Sequence, residues 1–542
     1  MSKSFFRFFV ILPGMLLYLG CKQEGPRITE IYPRIGMMGE VLTIRGENFG
    51  DEQDESYVTI AGIVPTASSY IEWKDDRIAF RVPEFGESGL VYVHRGNRKS
   101  NPALFSNQAA IPEPVLEDQA GISPHIQSVI PAAGAIGQAV SIMGSNFGAS
   151  RESSGVYFAW GAEAPQTVPA EIGGPDWVEV FDSDLGYEFW SERELRVRVP
   201  DGAISGSLEI RTPRGKSRAQ FFDVTGKPGS KVYRDKRIYA LSYSVDIRVQ
   251  EASSSNTLYL WVPQPVTSAS QRNPEILSRN VEPYIENYQG VSLYRLRDLK
   301  ADSGAGIALS YSVEVYAVET SLNPSQIRIP RQDSMAAVYA SSSSLIPSED
   351  SEIKRQSQAI TGREQNPYLK AQRIYEWLLK EGNIQWDALN GNARDALLKK
   401  QADPYMAALL FCALARAGGV PAQPAAGVLV DKSQNAFRHF WAEFWIDGAG
   451  WIPVDPALGA GAVPSSFNLR QDHKTYYFGS LDNQRVAFSR GQVPFSRMDP
   501  QGRTAMRERD YSLQSLWEEA SGGLESYSSL WSDVTINGVY IQ

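Results

Sequence analysis

Between residues 26 and 50 hydrophobic and polar positions alternate, with Leu42 and Ile44 on one side of a strand and Val41, Thr43 and Arg45 on the other. The pattern returns from residue 124. PRITEIYPRIGMMGEVLTIRGENFG and PHIQSVIPAAGAIGQAVSIMGSNFG align without a gap, and ten of the twenty-five positions are identical, including Pro33/Pro131, Gly39/Gly137, Gly46/Gly144 and the closing Asn-Phe-Gly. A later strand recurs in each copy, IAFRVP from Ile78 and LRVRVP from Leu195, with 19 extra residues before it in the second. Alternating strands closed by Gly and Asn turns predict two small β-sandwiches, residues 26–107 and 124–224. Polar segments bound the pair, which predicts that it folds apart from the rest.

Period-two alternation resumes after residue 236, where IYALSYSVDIRV puts Tyr239, Leu241, Tyr243, Val245, Ile247 and Val249 on one face. LYLWVPQP and IALSYSVEVYAV continue it, giving a third β domain over 236–330. A Ser-rich stretch, ASSSSLIPSEDS, precedes a change of texture. Asn366-Pro367 supplies a cap and first turn for a helix, and Asp403-Pro404 opens a second that runs to Ala417. GGVPAQPAAGVLV then reads as a helix stop entering a strand, and RHFWAEFWIDGAGWIPVDPALG as two strands joined at Asp447-Gly448. The chain from 366 on therefore has an α+β pattern; a family resemblance bounds it as residues 366–495 and leaves 496–542 as a C-terminal extension. The whole is multidomain and β-rich.

Length changes little in this picture, since 542 residues exceed what one hydrophobic core serves. Charge excludes more. A net charge of −9 without a Lys/Arg run argues against a nucleic-acid partner. At the start, MSKSFFRFFVILPGMLLYLG carries Lys3 and Arg7 ahead of an apolar run, too short for a spanning helix, and Cys21 follows Gly20. Residues 1–20 thus have export-signal architecture, and they resemble a bacterial lipoprotein signal, in which the cysteine is lipidated. That resemblance implies a membrane-anchored chain of the cell envelope, periplasmic or cell-surface. With Cys21 acylated, Cys412 has no intramolecular partner.

Candidate chemistry is concentrated near Cys412. His439 on one strand and Asp455 at the end of the next are the base-plus-orienter half of a nucleophilic triad, or a hydrogen-bonded pair holding two strands together. Trp441, Trp445 and Trp451 can stack on sugar rings or proline-rich peptides, or simply pack. The loop with Glu47, Asp51, Glu52, Asp54 and Glu55 is oxygen-rich, yet its spacing fits no calcium loop and reads as a solvated turn. His94, His125 and His473 stand alone, so no metal and no cofactor are expected.

The 26–107 and 124–224 repeats resemble the IPT/TIG family of immunoglobulin-like domains. Arg416-Ala417, Gly419-Val420-Pro421-Ala422, the His439 strand, and Trp451, Pro453, Asp455 and Pro456 resemble the transglutaminase-like (papain-type) superfamily, with its His-to-Asp spacing of 16. The resemblance implies a Cys-His-Asp triad with the cysteine fifteen residues before Gly419. That position is Pro404. Cys412 lies eight residues further on, about 12 Å along the helix axis, in an apolar run that suits a buried structural thiol. Asp403 is an N-cap by position, or an acid or base facing His439, but it cannot form a thioester.

The expected function is a lipid-anchored envelope protein with a nucleophile-less transglutaminase-like domain, binding a peptide or glycan or serving as a scaffold. The alternative is an active hydrolase or acyltransferase on proteins or cell-wall peptides, using His439 with another nucleophile.

Overall fold

The computed structural model describes residues 25–83, 89–107, 123–162, 176–253, 255–288, 290–329, 336–493 and 495–541. The export segment and Cys21 lie outside these residues.

Each repeat is a sandwich of two sheets, and the first has strands Arg27–Tyr32, Val41–Glu47, Arg77–Arg81 and Tyr70–Lys74 side by side. Leu42 and Ile44 are fully buried while Val41 is exposed, as alternation requires. The shared Asn-Phe-Gly closes the same turn twice. Asn48 and Asn146 adopt φ of 62° and 63°, a left-handed conformation that asparagine tolerates. Phe49 and Phe147 plug their cores so closely that a Cβ on Gly46 or Gly144 would lie 2.3 or 2.5 Å from the ring.

Two long strands, Gly229–Ala252 and Ser303–Leu322, pair antiparallel and form the spine of the third β domain. The six alternating residues Tyr239 to Val249 are all buried. Residues 496–542, expected as an extension, complete this domain. Leu524–Trp531 and Thr535–Ile541 pair with successive halves of the Gly229–Ala252 strand, and Glu518–Ala520 pairs with Thr257–Pro263.

Helices begin earlier than the sequence pattern suggested, with Ser351–Thr361 capped by the Asp350 carboxylate inside the stretch read as a separator. Helix Pro367–Glu381 starts at the predicted Asn366 cap, and a further helix, Ala393–Lys399, leads to the central helix Pro404–Ala417. The central helix is buried from Pro404 to Ala415. It packs on a four-stranded sheet in the order Gly450–Val454, Ala436–Ile446, Ala422–Val430, Arg485–Arg490.

The second Ig-like domain is not separate from this core. Trp445 and Trp451 share a hydrophobic cluster with its Val140, Phe158 and Trp190. Polar contacts lock the junction: Trp451 donates its backbone N–H to Asp201 (3.2 Å) and its indole N–H to Asp184 (3.1 Å), and Lys231 reaches both Asp201 (2.7 Å) and the Trp451 carbonyl (2.6 Å). Trp441, Trp445 and Trp451 are each only 2% exposed, so none offers a face to a sugar or peptide.

Candidate functional site

The central strand Ala436–Ile446 distributes its side chains between two environments. Phe440, Ala442 and Phe444 join the cluster of the central helix, whereas Trp441 and Trp445 join the cluster on the other side. His439 alternates with Phe440 and stacks against Trp441 (centroids 6.0 Å apart) and Trp386 (5.6 Å). Its ring is fully buried.

His439 Nε2 lies 2.7 Å from Asp455 Oδ2. Asp455 terminates the neighbouring strand, and its Oδ1 caps the short helix Pro456–Ala460 by accepting from the Leu458 N–H at 3.0 Å. Arg485, on the far edge strand, donates to Asp455 Oδ2 at 2.9 Å and to Asp482 at 2.7 Å, and the Tyr477 hydroxyl completes the chain by donating to Asp482 at 2.9 Å. Burial alone would raise the Asp455 carboxyl, but the hydrogen-bonded His439 and the Arg485 guanidinium outweigh it and hold the pKa at about 2. An ionised Asp455 has only acceptors, so Nε2 carries the proton in this bond. Nδ1 is left as the free nitrogen, and it has no hydrogen-bond partner among the described residues. The imidazole is thus oriented by Asp455, and among the described residues no donor or acceptor meets its other nitrogen.

The predicted site residues are therefore partly brought together. His439 and Asp455 meet, whereas Cys412 sits in the cluster of the central helix with Leu410, Phe411 and Leu414, away from the side of the strand that carries His439. Burial pushes its thiol up to about 12, against a smaller lowering by Arg416. Pro404 occupies the first turn and is buried. Asp403 is a saturated cap: Oδ1 accepts from Met406 N–H (2.8 Å), and Oδ2 from Leu389 N–H (2.8 Å) and the Arg509 guanidinium. It faces these partners, with no bond to His439.

Trp386, Arg485, Asp482, Tyr477 and Arg509 were not found by sequence reasoning. Each reaches the site from a distant segment, and only Arg485 carried a signal, as a charge directly before the apolar Val486-Ala487-Phe488 run. Among the described residues no group of three or more His, Cys, Asp or Glu side chains is arranged to hold a metal ion. No helix among them is long and apolar enough to cross a membrane.

Residues 354–456 match the transglutaminase-like superfamily, and residues 26–107 match the IPT/TIG domain. The chain thus contains a transglutaminase-like domain and an IPT/TIG domain. It is similar to an uncharacterized protein of Haemophilus influenzae, 28% identical over 173 residues, which cover 26% of this chain and 46% of that protein. The chain therefore spans about half the length of that curated relative. Among solved structures it is similar to a candidate cysteine protease from Cytophaga hutchinsonii, with 16% identity, 58% of this chain and 92% of that chain covered, and a TM-score of 0.36. The periplasmic domain of TgpA from Pseudomonas aeruginosa, bound to ethylmercury, is also similar, with 12% identity, 43% and 91% covered, and a TM-score of 0.24.

Proposed function

We propose that this chain is an exported, lipid-anchored envelope protein whose transglutaminase-like domain is non-catalytic and acts as a ligand-binding or scaffolding module. The observation that carries the reading is the state of His439: a fully buried ring packed on Trp386 and Trp441, with Pro404 where the superfamily places its nucleophile. Nucleophilic catalysis needs a thiol or hydroxyl within about 3 Å of the base. Cys412 lies in a different cluster, and Asp403 spends both oxygens on a cap and an ion pair. The His439–Asp455 pair then serves to join strands through Arg485.

The test is incorporation of a fluorescent primary amine into casein, alongside casein hydrolysis, by the full chain and by His439→Ala. Neither protein should turn over. Turnover that disappears with His439→Ala would restore the enzyme reading. Anchoring at Cys21 is tested separately by labelling cells with an alkynyl fatty acid, which should tag the wild type and leave Cys21→Ser unlabelled.

A further inference from the structure

A cavity of about 2180 Å³ opens where the two Ig-like domains, the third β domain and the transglutaminase-like core converge. His439 and Asp455 do not line it. It lies at the other end of the central helix, where Arg416 is about 18 Å along the axis from Pro404.

Five arginines line its wall, Arg27, Arg34, Arg151, Arg416 and Arg490, and two of them are held in strong ion pairs. Arg151 is paired with Asp182, and Arg490 with Glu443 (2.9 Å) and Asp184 (3.3 Å). Arg416 instead donates only to carbonyl oxygens, Nε to Ala422 (2.7 Å) and Nη1 to Ser341 (2.8 Å). Among the described residues no carboxylate comes within ion-pair distance of it. Its five N–H groups are a fixed fork, and three of them have no acceptor from those residues. Burial lowers its pKa to about 10, offset only in part by Cys412 and Tyr339. A guanidinium kept half-buried without a counter-ion is costly unless an anion joins it.

We propose that this cavity binds a carboxylate-bearing ligand and that Arg416 is the counter-ion, in the bidentate geometry that guanidinium and carboxylate share. The wall also carries hydroxyl and amide groups, among them Ser341, whose carbonyl Arg416 meets, and Ser342, Ser344, Gln423 and Gln492. Such a wall suits a chain dense in hydrogen-bonding groups. The volume exceeds the 300 to 1,000 Å³, roughly, of ordinary small-molecule pockets, which leaves room for an oligomeric ligand. A peptide ending in a free carboxylate and an oligosaccharide of sugar acids share this chemistry. The inference does not rest on the non-catalytic reading, since His439 is outside the cavity.

Calorimetric titration of the full chain tests it with two pairs of probes: acetyl-trialanine against its C-terminal amide, and trigalacturonic acid against its methyl ester. One free acid should bind at least ten-fold more tightly than its neutral partner, and the pair that responds identifies the source. Arg416→Gln should lower that affinity ten-fold or more. Ser344→Asp, a change at an exposed wall position, should do the same by repulsion without touching the packing of Arg416. The proposal is overturned if neither acid binds at millimolar concentration, if acid and neutral partner bind equally, or if Ser344→Asp binds like the wild type.

Discussion

Arg509 and Asp403, 106 residues apart, form an ion pair that ties the C-terminal segment to the first turn of the central helix. Arg509 also donates to the Gly391 carbonyl at 2.6 Å, and its guanidinium lies 4.5 Å from the Tyr405 ring centre. Its backbone sits at φ 59°, a left-handed conformation costing about 1 kcal/mol that the side-chain contacts offset. The place where a nucleophile would be presented is thereby covered by protein.

Removing one member of this pair strands the other. Asp403 is 2% exposed, so Arg509→Ala leaves a buried carboxylate with backbone partners only and should cost about 3 kcal/mol of unfolding free energy. Urea denaturation measures this. A loss below about 0.5 kcal/mol would mean that the pair contributes no more than a surface contact.

The Asp455 carboxyl supplies a pH signature. Its folded pKa, about 2, lies below the ordinary 3.8, so the group adds stability that is fully present above about pH 4 and is lost as pH falls toward 2. The magnitude is about 2 kcal/mol. Asp455→Asn should be less stable than the wild type at pH 6, and the gap should narrow steadily between pH 4 and pH 2. A gap that does not change over that interval would remove the charge from the account and leave only shape.

The junction between the second Ig-like domain and the core makes an opposite prediction to the one suggested by polar linkers. A Cβ on Gly450 would lie 2.2 Å from Asp201 Oδ1, and the residue already adopts φ 79°. Gly450→Ala should loosen the domain, and Lys231→Met should cost about 3 kcal/mol by leaving Asp201 unpaired. Scanning calorimetry should show the second Ig-like domain melting with the core in the wild type and ahead of it in either variant. An isolated fragment 26–224 as stable as the full chain would sink this.

What was legible in the sequence was local. Strand faces and the Asn366 and Asp403 caps are set by neighbours within a few residues, while the repeats and the 16-residue spacing of His439 and Asp455 are visible as motifs. Arg485 pairs with a residue 30 positions away, and Arg509 with one 106 away. Nothing in single-chain periodicity ranks one buried arginine partner above another. The C-terminal strands were missed for a related reason. SYSSLW alternates too weakly to announce a face, because one side is solvated and the other lies over Glu518, which accepts from the Trp531 indole at 2.7 Å and the Tyr527 hydroxyl at 3.0 Å; in TINGVY only Ile536 is buried.

Cys412 and Pro404 give the proposed lack of thiol chemistry its direct test. Cys412 is fully buried, and its thiol is pushed up to about 12, so almost no thiolate forms at neutral pH. Iodoacetamide should modify it only after denaturation, as mass spectrometry of the intact chain will show. Were the superfamily's groove open here, Pro404→Cys would place a reactive thiol beside His439. The structure argues otherwise, because Pro404 is buried and the adjoining Asp403 is held by the Leu389 N–H and the Arg509 guanidinium. Pro404→Cys should therefore alkylate slowly in the native state. Adding Trp386→Ala, which uncovers the His439 ring, should accelerate it at least ten-fold. Rapid alkylation of Pro404→Cys alone would mean that the groove opens readily in solution, and equal rates with and without Trp386 would mean that this tryptophan is not what closes it.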